Sequence, residues 1–92
     1  MEATTGRIIH YKLTEDDCRR IKGNRNGLIV TSHTSEGNTP QAGDVVPAIV
    51  VRVWSPGALN AQAFLDGNDS LWLMSIVQGD ANGQWQWPMI KL

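Results

Sequence analysis

Few residues in this chain have side chains suited to catalysis, and their spacing limits what they can do. His10 and His33 stand far apart, and Cys18 has no other Cys or His near it. That is no zinc-ligand spacing, so neither a metal nor a cofactor is expected. Cys18 falls on a short helical stripe with Leu13 and Ile21, the place of a small buried residue rather than an activated thiol. No serine occupies a Gly-x-Ser-x-Gly elbow, and neither glycine-rich phosphate loop occurs. Asp16 and Asp17 open a helix, and Asp66 and Asp69 flank a turn, so both carboxylate pairs have structural explanations. His10, on a strand face, is left as the one candidate acid or base. The residues point to binding rather than catalysis.

Binding would fall to arginine and tryptophan. The chain has four tryptophans against one phenylalanine and one tyrosine. Trp54, Trp72, Trp85 and Trp87 each offer a large apolar face that fills a core or stacks on a base. The terminal stretch "NGQWQWPMIKL" puts Trp85 and Trp87 on one side of a strand, where they either seal the sheet or form a platform. Arg19, Arg20, Lys22 and Arg25 make a basic cluster on and after the helix. Arg52 lies on an apolar strand, and a guanidinium there needs a partner. Asp66, Asp69 or a phosphate would serve. The candidate ligand-binding set is therefore Arg52, Trp54, Trp85, Trp87, Arg19, Arg20, Arg25 and His10.

The elements that must position these residues read in order. "RIIHYKL", residues 7–13, alternates as a strand, with Arg7, Ile9 and Tyr11 opposite Ile8, His10 and Lys12. Thr14 caps a helix whose first turn carries Glu15, Asp16 and Asp17, with Glu15–Arg19 and Asp16–Arg20 as i,i+4 pairs. Gly23 is expected to stop that helix, residues 24–27 to turn, and "GLIVTS" to form a short strand. Residues 31–43 lack periodicity and read as a mobile loop. "DVVPAIVVRVW" is the strongest strand, "SPG" a turn, and "LNAQAFLDGNDSLWLMSIV" a hairpin. "QWQWPMI" is a last strand. The sum is one domain over residues 1–92, mostly β within the α+β class. It is a small SH3-like bent sheet or partly open barrel with one short helix after the first strand.

A net charge of −1 supplies no general attraction for nucleic-acid polymer, so none is expected as a partner. No apolar run is long enough to span a bilayer, and the first residues lack a signal-peptide core, so a soluble, intracellular protein without a membrane partner is expected. Two strands carry apolar residues on both faces. Ile49, Val51 and Val53 oppose Ala48, Val50, Arg52 and Trp54, and Leu71, Leu73 and Val77 oppose Trp72, Met74 and Ile76. One small core does not cover both sides, which predicts a homo-oligomer, a dimer or higher.

Four stretches in order, "GRIIHYKLT", "VPAIVVRVW", "FLDGNDSLWLMSI" and "GQWQWP", resemble short accessory proteins of tailed phages and prophages. The shared pattern is Gly-x-Ile-x-His-Tyr, then Pro-Ala-x-x-x-x-Val-Trp, then Gly-x-Trp-x-Trp-Pro. The resemblance implies a phage origin and the host-cell cytoplasm, and it raises counter-defence as a function class. With the residues above, the expected function is a non-catalytic sponge for a nucleotide-type immune signal, a cyclic oligonucleotide or an ADP-ribose-like compound. The alternative is an adaptor that binds a host or phage protein, or a minor structural phage protein. An enzyme relying on His10 is the third reading.

Overall fold

Alternation in β1 (Ile8–Lys12) sends Ile9 and Tyr11 inward, both almost fully buried, and leaves Ile8 exposed. The computed structural model describes residues 2–30 and 37–88. After β1 come α1 (Glu15–Val30), β2 (Val45–Ser55), β3 (Ala58–Phe64), β4 (Ser70–Val77) and β5 (Trp85–Gln86). The strands form one antiparallel sheet in the order β4-β3-β2-β1-β5. An isolated parallel bridge, Gln78 to Trp85, brings the end of β4 round to β5, so the sheet curls into a half-barrel. This is the mostly-β, partly open barrel expected from the sequence, with its single helix after the first strand.

The core lines the inside of that curl. Val46, Ala48 and Val50 of β2 face Leu59, Ala61 and Ala63 of β3 and Leu71, Leu73 and Ile76 of β4. Trp85 closes the β5 side, and Leu13, Cys18 and Ile21 complete the cluster. The alanines at paired positions 48 and 63 keep the middle of the sheet thin. Larger side chains from its ends and from the helix fill the space.

The start of α1 is a reciprocal cap. Thr14 Oγ1 accepts from the Asp17 N–H at 2.9 Å, and the Asp17 carboxylate accepts from the Thr14 N–H at 2.9 Å. The same carboxylate accepts from the Tyr11 hydroxyl at 2.6 Å. Burial and that neighbouring carboxylate push the Tyr11 phenol well above its ordinary range. Asp17 thus ties helix to strand, and the arginine pairs take i,i+3 spacing: Arg19 to Asp16 at 3.3 Å and Arg20 to Asp17 at 3.7 Å.

The helix does not stop at Gly23. It runs to Val30, taking in residues read as a turn and the first part of a strand. Two interior glycines weaken it by about 1 kcal/mol each against alanine. Arg25 offsets that cost. Its Nε and Nη2 donate to both carboxylate oxygens of Asp69 at 2.8 and 3.1 Å, and Nη1 donates to the Asn38 carbonyl at 2.9 Å. The side chains are only 11% and 15% exposed, so the pair is little screened. Tertiary anchoring overrides the local stop signal. Arg25→Ala should therefore lower stability by about 2 kcal/mol, with Arg25→Lys in between because it loses the fork. Urea denaturation checks this, and an unchanged midpoint would contradict it.

Of the loop expected over 31–43, residues 31–36 lie outside those described. The remainder is tied down. Gly37 bridges Gly67, the Asn38 side chain donates to Asp66 at 2.9 Å, and the Gly43 N–H donates to the Leu13 carbonyl at 2.8 Å.

The face assignments on two strands change because of bulges. In β2 the register slips between Val50 and Arg52, so Arg52 pairs with Asn60 and Val53 pairs with Leu59. Val51 and Val53 therefore do not share a face. In β4 Ser75 has a φ of 53° and its N–H turns onto the Asn60 side chain. The register slips there, sending Ile76 inward and Val77 outward, the reverse of simple alternation.

Candidate ligand-binding site

Asn60 explains how this site is built. It interrupts an apolar strand and is only 8% exposed. A buried amide oxygen needs donors, and it has two: the Ser75 N–H at 2.7 Å and the Trp54 indole N–H at 3.0 Å. The second bond fixes the Trp54 ring while leaving the residue 52% exposed. Arg52, two residues before Trp54 on the same strand, places its guanidinium carbon 4.0 Å from the ring centroid. That is a cation–π pair at an exposed site.

Arg52 enters no ion pair among the described residues; those present join Arg19 to Asp16, Arg20 to Asp17 and Arg25 to Asp69. Its anticipated carboxylate partners are engaged elsewhere: Asp69 by Arg25 and Asp66 by Asn38. The stacked guanidinium keeps its charge available to a ligand.

Trp54, but not Arg52, also lines a pocket of about 290 Å³, together with Glu2, the Ser55–Gly57 turn, Gln78 and Trp85. Gly57 turns the chain with a φ of 81°, as the residue after a turn proline often must. Its carbonyl accepts from the Trp85 indole N–H at 2.9 Å. Trp85 is 1% exposed, so it forms a floor and not a stacking surface. Trp87 meets it edge-on, with ring centroids 5.4 Å apart and planes at 89°. Trp87 also lines a separate groove with His10.

The structure thus brings Arg52 and Trp54 together, and it links Trp54 to Trp85 and Trp85 to Trp87 around one end of the half-barrel. Arg19, Arg20 and Arg25 do not join them. Each is engaged on the helix: Arg19 with Asp16, Arg20 with Asp17 and the Trp72 carbonyl, Arg25 with Asp69. Asn60 and Ser75 belong to the site as well, though neither stands out in the sequence. The available signal was Asn60, one of two side-chain amides inside "ALNAQAF".

Cys18 is buried, and burial pushes its thiol pKa up, away from the reactive thiolate. Among the described residues no three His, Cys, Asp or Glu side chains gather as metal ligands, and no helix is long and apolar enough to cross a membrane. Comparison of the chain with protein-family models, with curated proteins and with solved structures finds no match.

Proposed function

We propose that this chain is a non-catalytic binding protein that captures a nucleotide-type signal, a cyclic oligonucleotide or an ADP-ribose-like compound. The observation that carries the reading is the Arg52–Trp54 pair: a guanidinium without a carboxylate partner, held over a pinned and half-exposed indole. An aromatic plane binds a base by stacking, and a planar cation binds a phosphate through two parallel N–H donors. The 290 Å³ pocket alongside gives the base or ribose a recess. The resemblance to phage accessory proteins supports a counter-defence role in the host cytoplasm, in which binding without cleavage removes the signal. Calorimetric titration against cyclic di- and trinucleotides and cyclic ADP-ribose isomers tests it. At least one should bind with one site per chain, and silence across the whole panel would overturn the reading.

The outer face of the sheet supports self-association as part of the same function. Ile8, Val51, Phe64, Trp72 and Met74 are all exposed there, with Met74 at 67%. Monomers rarely leave so much apolar side chain in water. The expected assembly is a dimer or higher, with at least twice the 10.1 kDa of one chain. Light scattering behind a sizing column measures this, and Met74→Glu should shift the mass to a single chain by setting like charges against each other across the contact. A wild-type mass of one chain at micromolar concentration would contradict it.

The same exposed face favours a second reading, an adaptor whose outer sheet docks on a host or phage protein. Pull-down of one stoichiometric partner by wild type, abolished in Met74→Glu while the nucleotide panel stays silent, would favour that reading over the first.

A further inference from the structure

A cavity larger than the pocket beside Trp54 lies elsewhere on the sheet. It is an open groove of about 460 Å³ along β1 and β5, walled by His10, Lys12, Val45, Asp80, Gln86 and Trp87. Its size suits a small ligand. One wall is apolar, made by Trp87 and Val45. Edge-on contact with the buried Trp85 holds the Trp87 indole at a fixed angle.

The polar groups are set around that wall. Lys12 Nζ donates to the Asp80 carbonyl at 2.7 Å, and the Gln86 amide donates to the Asp80 carboxylate at 3.2 Å. These bonds orient the groups without exhausting them. Lys12 keeps two further N–H donors, Asp80 keeps a second carboxylate oxygen, and Gln86 keeps capacity to donate and accept. His10 lies opposite Gln86 in the β1–β5 register, and among the described residues neither its imidazole nor the Trp87 indole N–H makes a hydrogen bond.

The charges decide the ligand class. Lys12 and Asp80 cancel, so the groove has no net attraction for a phosphate, and the carboxylate opposes one. What remains is an apolar aromatic face ringed by mixed donors and acceptors. A pyranose sugar has the matching form: one face of C–H groups, and an edge of hydroxyls that each donate and accept. We infer that this groove is a saccharide-binding site, separate from the Arg52–Trp54 site and independent of it.

Indole N–H resonances of the ¹⁵N-labelled protein test this directly, because Trp54 and Trp87 report the two sites separately. Methyl pyranosides of glucose, galactose, mannose and N-acetylglucosamine are titrated in turn, followed by their β-linked disaccharides. At least one should move the Trp87 indole signal saturably and leave that of Trp54 in place. Trp87→Ala and the exposed Asp80→Ala, titrated by calorimetry with that sugar, should each weaken the affinity by about tenfold or more, as loss of the stacking wall or of a paired hydroxyl contact requires. Asp80→Ala keeps the test valid should Trp87→Ala fail to fold. No saturable shift at Trp87 for any sugar, in a folded spectrum, overturns the inference. So does a nucleoside phosphate that moves Trp87 where every sugar leaves it still. Movement of Trp54 alone by a nucleotide bears on the proposed function and not on this groove.

Discussion

Trp85→Ala is expected to destabilise the protein by about 3–5 kcal/mol, the range for removing a large buried aromatic side chain. The indole is 1% exposed and closes the core from the shortest strand. It is also a fastener. Its N–H holds the Gly57 carbonyl of the β2–β3 turn at 2.9 Å, and its backbone carbonyl accepts from Gly79 at 3.0 Å. Alanine leaves a cavity at the point where the sheet curls on itself, and the Gly57 carbonyl keeps only the Gln78 N–H, at 3.0 Å, as a donor. A domain of this size has roughly 5–15 kcal/mol in total. The loss should lower the melting temperature by roughly 15–30 °C, or unfold the chain near physiological temperature. Trp85→Phe should recover about half, since it refills most of the volume and still lacks the N–H donor. Thermal denaturation followed by near-ultraviolet circular dichroism reads both. A loss below about 1 kcal/mol for Trp85→Ala would mean that the indole is not in the core.

Trp54→Ala should have the opposite profile, with a large effect on binding and a small one on folding. The side chain is 52% exposed, so its removal costs little burial, and Asn60 keeps the Ser75 N–H as a donor. Binding loses the stacking surface, worth about 1–3 kcal/mol per base, and also the support that holds Arg52 in place. The combined expectation is about a hundredfold weaker affinity, or roughly 2.7 kcal/mol. Arg52→Ala should weaken it comparably, and the loss should shrink in high salt, where the phosphate contact is screened. Trp54→Phe separates the contributions, because it keeps an aromatic plane and gives up the bond to Asn60. Calorimetry on the three variants decides the matter. Equal affinity in Trp54→Ala and wild type would remove the indole from the site.

How much of this was legible beforehand depended on how local each signal was. β1 and the β3–β4 hairpin follow from alternation and turn residues within a few positions of each other, and they fold where the pattern puts them. Thr14 and Asp17 form their cap for the same reason. The helix end was not legible. Gly23 and the residues after it carry every local sign of a stop, while the Arg25–Asp69 pair spans 44 positions that no local pattern connects. The bulges were hidden in another way. A period of two assumes an unbroken ladder, and one extra residue at Val51 or Ser75 reverses every side chain beyond it. That is why Arg52 and Trp54, neighbours on one face by alternation, turn outward together instead of into the core. Among the site residues, Arg52 was visible as a guanidinium out of place on an apolar strand, and Trp54 as an aromatic that fills a core or stacks. Asn60, which sets their geometry, looked like an ordinary polar interruption.

Capture without turnover is measured by recovering the ligand intact. Purified protein is mixed with a bound member of the nucleotide panel in slight molar excess of chain. Free ligand is then removed by ultrafiltration, and the retained protein is heat-denatured. Wild type should deplete the filtrate and, on denaturation, return the nucleotide chemically unchanged and in full, while Trp54→Ala should leave it in the filtrate. A filtrate undiminished by wild type, or a released product of altered mass, would contradict it.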